Sequence, residues 1–491
     1  MQSVKAVRAL AAAVALVCAG GSAAGAEWNA ASQQRLLEGV NAYFARMTEV
    51  AQQIWNKPEL GYLENETSTL LQAELKKAGF AVQAGVAGIP TAFVASAGKP
   101  GGSVIAILAE MDALPGFSQT AEPEKKAVPH THSGHACGHH LFGAGSVGAA
   151  IALKQWMEAT GTPGQVRLYG TPAEEGGSGK VYMVREGLFK DVDVVLHWHP
   201  SDSNGASQGS SLANVSGKFR FKGRSAHAAM APHLGRSALD GVEALNFMAN
   251  AMREHVPQET RIHYVITDGG KAPNVVPDFA EAYYYVRHPD PAVVKDVLAR
   301  LQQAAAGAAM GTGTQQEFEA LGGVYSMLPN DTLGRVMDES LRAVGVPQWT
   351  PAEFKFGEDL QKTLTQKRLP ALTTAAEIAP YKTGGMSYAS TDVGDVSWVV
   401  PTVGLGTATW VPGVPAHSWQ AVASGGTSIG YKGMDVAART LAVAGARLLS
   451  DPQLIAQAKT EFAKARGADF TYVPLLGDRK PALDYRKATT R

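Results

Sequence analysis

Five histidines, His130, His132, His135, His139 and His140, fall within eleven residues around Cys137, in a chain with 13 histidines and two cysteines in all. Thiolate and imidazole hold borderline-soft divalent cations, and from a glycine-containing turn Cys137 and His139 can converge on one ion. By itself such a tract also fits loose metal scavenging. A second element, Ala173-Glu174-Glu175-Gly176-Gly177, sets two carboxylates side by side. On a surface loop such a pair is merely solvated. Beside a metal the two divide the labour, one ligating and the other accepting a proton from water. In the third, Leu196-His197-Trp198-His199-Pro200, the two histidines share a strand face, so either can ligate with the other as its neighbour. The fourth is Pro415-Ala416-His417-Ser418-Trp419. Each histidine alone is more often structural, but four elements supplying Cys, His and carboxylate predict a metal site.

The elements that must position these groups follow from hydrophobic pattern. Short apolar runs at Val104–Leu108, Val166–Tyr169 and Val192–Leu196 predict buried strands, the first delivering Glu110 and Asp112 at its carboxyl end. Helical spacing over Gln33–Arg46 and Thr67–Ala78, with Gly79 at a C-cap position, and helix-compatible stretches at Gly143–Met157 and Gly179–Glu186 complete an α/β pattern. In such sheets the site lies at the carboxyl edge. Ser201–Ser211, rich in Ser, Gly, Asn and Asp, reads as a linker. After it, strands at Lys218–Lys222, Ile262–Ile266 and Ala280–Val286 alternate with helices at Ser237–Arg253 and Pro291–Gly307, a small β-α-β-β-α sheet. Beyond Tyr325 helix and strand alternate again, ending in a long apolar helix over Val436–Leu449. The expected organisation is a catalytic domain in two parts, 27–211 and 326–491, interrupted by an inserted α+β domain, 212–325.

A length of 491 residues agrees with two folding units, and 44 basic against 44 acidic side chains argue against a nucleic-acid partner. Lys5 and Arg8 precede an apolar run, Ala9–Cys18, and small residues up to Ala26, so residues 1–26 predict a cleaved secretory signal and a periplasmic or secreted protein without stable membrane insertion. Its removal takes Cys18 away and leaves Cys137 as a single thiol in a compartment that favours disulfides, which a metal-ligand role explains.

Taken together, Glu110-Met-Asp-Ala-Leu-Pro115, His135-Ala-Cys-Gly-His139, Glu174-Glu-Gly-Gly-Ser-Gly179, Gly223-Arg-Ser-Ala-His227, Asn274-Val-Val-Pro277, Ser390-Thr-Asp-Val-Gly-Asp395 and His417-Ser-Trp419 resemble the M20-type metallopeptidases and amidohydrolases. These include aminoacylases, carboxypeptidases and the plant auxin-conjugate hydrolases. The resemblance runs from about Ser32 to Pro474. It implies a mixed-sheet α/β metallohydrolase domain with a smaller ferredoxin-like lid that dimerises, and two divalent metals, manganese or zinc with cobalt as a third candidate. It makes Cys137, His139, Glu175, His199 and His417 ligands, with His197 as the fallback for His199. Glu174 matches the general base and Asp112 a carboxylate that orients the site, while Glu110 has no assigned role. His227 matches a group that polarises the scissile carbonyl, often across a dimer, and Asn274 and Arg287 match substrate-binding residues. The implied reaction is hydrolysis of an amide next to a free carboxylate in an N-acyl amino acid. A dipeptidase or carboxypeptidase on the same scaffold, a heteromer with a related subunit, and a non-catalytic envelope metal-binding protein are the alternatives.

Overall fold

Apolar runs too short for helices pair into strands that hide both faces. In the computed structural model, which describes residues 28–487, six of them form one sheet. Their order is Ala81–Ala84, Phe93–Lys99, Gly164–Thr171, Val104–Glu110, Val194–Ser201 and Thr402–Ala408. The last four are mutually parallel and the first two antiparallel, so the sheet is mixed. The helices His139–Thr160 and Ser428–Ser450 pack side by side on this sheet, and Ala30–Asn56 packs against both. Enclosed on most sides, His139–Thr160 is apolar nearly all round. The expected signal segment, residues 1–26, lies outside the described residues. Among the described residues no helix is long and apolar enough to cross a membrane.

Parallel strands bring their carboxyl ends to one edge. Glu110 ends its strand with Asp112 two residues on, Glu174 and Glu175 follow Thr171, His199 sits near the end of Val194–Ser201, and the chain after Ala408 returns to the same edge with His417. The helix bearing His139 starts there too.

The inserted unit is an antiparallel sheet in the order Arg261–Asp268, Phe279–His288, Ala213–Lys222, Gln315–Val324. The helices Ala238–Met252 and Pro291–Thr312 cover one face. Ser237 caps the first helix, and Asp290 followed by Pro291 starts the second. Alternation in Phe279–His288 buries Ala280, Ala282, Tyr284 and Val286 beneath the helices and turns Tyr283, Tyr285 and Arg287 to the other face. The chain order is β-α-β-β-α-β, ferredoxin-like. Its fourth strand, Gln315–Val324, escapes sequence reading because Glu317, Glu319 and paired glycines mask its alternation and its register shifts after Ala320.

One expectation needs correcting: Ser201–Ser211 is not a linker. Gln208–Ser210 pairs in parallel with Thr383–Met386, and the buried Asn204 side chain donates to Ala375 O and Glu377 O and accepts from Ala408 N. Its polar residues satisfy backbone groups of crossing segments, which composition alone cannot distinguish from solvation.

Candidate metal centre

Three groups of donor atoms form at the sheet edge, Cys137 with His139 and His199, Cys137 with Glu175 and His417, and Glu110 with His139 and Glu174, each with ligand atoms within 4.8 Å of one another. Cys137 belongs to the first two and His139 to the first and third, so the groups form one continuous cluster. The turn that allows this depends on Gly138, whose φ is 76° and where a Cβ would stand 2.6 Å from the Pro200 ring. Ala173 and His417 also hold left-handed backbone, φ 57° and 58°, which is costly for non-glycine residues and here aims Glu174 and His417 at the centre.

Hydrogen bonds fix the candidate ligands from behind. His139 Nδ1 donates to Asp112, 3.0 Å to the carbonyl and 3.1 Å to Oδ1, and His199 Nδ1 donates to Pro200 O at 2.7 Å. In the neutral rings both Nε2 lone pairs are therefore free to ligate. His199 Nε2 lies 3.4 Å from Cys137 Sγ. His197 joins none of the three donor groups and packs its ring on Gly404, where a Cβ would stand 2.4 Å away. Asp112 also accepts from Glu175 N at 3.0 Å, so one carboxylate positions two ligands.

The donors fit divalent cations. His139 Nε2 and Glu175 Oε1 are buried without an aligned hydrogen bond, although Glu110 and His417 each approach to 3.1 Å. Atoms crowded together yet not bonded to one another suit a shared ion. Burial pushes the Cys137 thiol up, and a cation is what would hold it as thiolate. Burial opposes charging His139, but Cys137, Glu110 and Asp112 outweigh it and raise its pKa, so a proton and a metal compete for the same negative surroundings.

Glu110 is the end of a buried chain. It meets Lys180 Nζ at 2.7 Å, and Lys180 meets Asp392 at 2.7 Å, all three about 0–1% exposed. The Glu174 side chain lines the open space; burial, then Glu110 and Glu175, push its carboxyl well above the usual range. That is the condition of a group ready to exchange a proton. Two cavities meet at Glu174, Glu175 and His417, one of about 530 Å³ against the bare face of the inserted sheet, the other of about 890 Å³ along Ser207–Ser211.

Comparison with known proteins assigns this arrangement. Residues 106–400 match the model of peptidase family M20/M25/M40. The chain belongs to this family. It is similar to the B-type subunit of p-aminobenzoyl-glutamate hydrolase from Escherichia coli, with 40% identity over 89% of this chain and 96% of that one. It is also 31% identical to mouse Xaa-Arg dipeptidase over 64% of this chain and 72% of that one. A solved Bacillus subtilis structure described as a dinuclear metal-binding M20 peptidase shares the fold, with TM-score 0.57 and 21% identity over 83% of this chain and 99% of that one. This chain is therefore an M20 metal-dependent hydrolase of amide or peptide bonds.

Within one chain of this M20 enzyme the structure brings Cys137, His139, Glu174, Glu175, His199, His417 and Asp112 together, and places Arg287 on the wall of the smaller cavity. His227 and Asn274 lie elsewhere, exposed on the inserted unit and joined by a backbone bridge between His227 and Val275. His227 Nδ1 accepts from Ala229 N and Met230 N at 3.3 and 3.0 Å, so its proton sits on Nε2, pointing a donor outward. Lys180, Asp392 and the C-terminal residues Arg479 and Tyr485 escape sequence reading. Asp392 lies inside the Ser390–Asp395 motif, but nothing near Lys180 distinguishes it from a surface lysine.

Proposed function

We propose that this M20 enzyme hydrolyses the amide of an N-acyl amino acid whose amine-side fragment keeps a free α-carboxylate, with aminobenzoyl-glutamate as the model substrate. The observation that carries this is Arg287. It lines the same cavity as Glu174, Glu175 and His417, touches Ser390 Oγ at 3.3 Å and the Tyr285 ring, and has no carboxylate partner among the described residues. A guanidinium there can take a carboxylate by paired hydrogen bonds.

Two divalent cations, manganese or zinc with cobalt as a third candidate, would be held by Cys137, His139, Glu175, His199 and His417. When bound they would polarise the amide carbonyl and make water more acidic. Glu174 takes the proton from water and returns it to the leaving amine. The Nε2–H of His227 supplies a hydrogen bond to the developing oxyanion, reaching the site from a second copy of the chain. Exposed Phe247, Met310, Val265 and Ile266 on the inserted unit suit the homodimer this needs, although a related second subunit could take the same place.

A dipeptide substrate is the second reading, and the larger cavity argues against it. Away from the carboxylates of the metal centre, Glu110, Glu174 and Glu175, its wall includes Met327, Met386, Leu405 and Lys382, apolar surface with a cation, which fits an uncharged acyl group better than a free ammonium. Export to the periplasm or beyond belongs to the proposal, tested by whether the mature protein begins near residue 27.

The deciding experiment compares aminobenzoyl-glutamate with its α-methyl ester in the metal-loaded enzyme. The acid should be cleaved roughly 10- to 100-fold better, a margin Arg287→Ala removes. Equal cleavage of acid and ester by the wild type overturns the carboxylate requirement.

A further inference from the structure

The smaller cavity has a second guanidinium that the reaction above does not use. Arg479 comes from the C-terminal segment and lines the wall together with Arg287, Asn214, Ser216 and Tyr283. Resting on the reading of the α-carboxylate by Arg287, we propose that Arg479 binds a second carboxylate, so that the amine-side fragment is a dicarboxylic amino acid such as glutamate.

Three observations support this. First, the segment is held in place rather than draped. Tyr472 donates to Asp395 at 2.7 Å, Tyr325 donates to Val473 O at 2.8 Å, and Arg185 donates to Arg479 O at 2.7 Å. Leu476 is buried in the main core, and Arg486 donates to the backbone carbonyl of the ligand Glu175 at 2.5 Å. A side chain launched from such a strap is positioned as firmly as one from the sheet. Second, Arg479 has unused capacity. One N–H goes to Leu321 O at 2.5 Å, and its nearest carboxylate, Glu319, stands 3.6 Å away while pairing with Arg220 at 2.6 Å. A guanidinium offers five donors, so most remain for a ligand. The side chain is 23% exposed, which leaves it partly desolvated and its charge poorly screened.

Third, Arg287 and Arg479 are two cations on the wall of one cavity and neither has a carboxylate to itself: Arg287 has none among the described residues, and Arg479 shares Glu319 with Arg220. A single α-carboxylate engages one of them. A fragment with an additional distal carboxylate can engage both, on a wall that also carries the hydroxyl and amide groups of Ser216, Tyr283 and Asn214.

The test uses the metal-loaded full-length enzyme with p-aminobenzoyl-glutamate and p-aminobenzoyl-glutamine, which share the α-carboxylate and differ only in the distal group. Wild type should favour the glutamate substrate by roughly 10- to 100-fold in kcat/KM. Arg479→Ala should bring that ratio to within about threefold, chiefly through KM, and Arg479→Lys should keep part of it because a point charge still attracts the anion. Arg287→Ala should lower both substrates together and leave the ratio standing. A wild type indifferent to the distal group, or an Arg479→Ala variant that loses both substrates equally, overturns the role of Arg479 and leaves the α-carboxylate requirement intact. Cleavage of α-acid and α-ester alike is the separate result that removes the foundation.

Discussion

The carboxyl edge of the large sheet and the exposed patch of the inserted unit are both reached by motif residues, yet they are built differently. At the sheet edge His139 and His199 are locked by their Nδ1 atoms, Asp112 ties His139 to Glu175, and Lys180 binds Glu110 to Asp392 out of solvent. On the inserted unit His227 and Asn274 stand in the open, among Met230, Leu234 and Val275. A metal centre must be rigid before the ion arrives, because misplaced donors lose affinity. A hydrogen bond to an oxyanion can be supplied later, by a neighbouring subunit. The difference teaches that this chain carries a preorganised set of metal donors at one edge, while His227, proposed to act on the oxyanion, stands apart from it on the inserted unit.

The sharpest way to break that comparison lies inside the sheet edge, between adjacent carboxylates. Glu174→Gln should retain its metals and lose about 10²- to 10⁴-fold in kcat, because it removes a proton acceptor and no ligand. Glu175→Gln should lose metal by elemental analysis as well, as should Cys137→Ser. Equal metal loss in both glutamate variants would place Glu174 among the ligands and blur the division of labour.

Next in size is His227→Ala, expected to lower kcat by about 10²- to 10³-fold with metal content unchanged. If the second half of the site comes from another subunit, mixing His227→Ala with Glu174→Gln protein under subunit exchange should restore activity, since hybrid dimers contain one intact centre. Verified exchange without recovery would mean that the inserted unit swings onto its own chain.

The same contrast explains which residues are legible in the amino-acid sequence alone. Metal donors announce themselves because Cys, His and paired carboxylates are chemically distinctive and sit where apolar runs end, so Cys137, His139, His417 and the pairs Glu174–Glu175 and His197–His199 are legible as a set, while the choice of Glu175 and His199 within the pairs needs the family resemblance. His227, Asn274 and Arg287 need the family resemblance, since their residue types have commoner structural roles. Lys180 is invisible because a lysine at a helix start reads as solvated, and only the fold shows it fully buried between two acids. Arg479 and Tyr485 are invisible for another reason: a polar tail with proline and glycine has no periodicity to place it. The edge strand Ala81–Ala84 and its neighbour Phe93–Lys99 escape because short, half-exposed strands lack a long apolar run.

Lys180 supplies a smaller, structural test of the rigid region. Lys180→Met should destabilise the protein by about 3 kcal/mol, since breaking a buried pair leaves uncompensated charge on Glu110 and Asp392. Adding Asp392→Asn should recover part of that loss in thermal or denaturant unfolding. A single Lys180→Met variant as stable as wild type would mean that water reaches these acids and that the edge is less rigid than its hydrogen bonds imply.

The smallest expected effect concerns Asp395, at the border between the two regions. It is fully buried, accepts from Tyr325 N at 2.9 Å and from Tyr472 Oη at 2.7 Å, and has Asp392 as its acidic neighbour. Burial, with a contribution from Asp392, raises its pKa to about 7, the two hydrogen bonds working the other way. The native state therefore holds a proton that the unfolded chain, with an ordinary carboxyl near pH 4, has already released. Its contribution to stability is complete below the unfolded pKa and is lost as pH rises through the native one. Between pH 6 and pH 8 wild type should lose about 1.4 kcal/mol relative to Asp395→Asn, in which the amide keeps an acceptor for Tyr325 and lets the Tyr472 hydroxyl turn to accept. Comparing the two proteins cancels every other titrating group that behaves alike in both. Parallel stability curves for the pair across this range would show that Asp395 is already ionised in the folded protein, and that the border carries a buried charge instead of a buried proton.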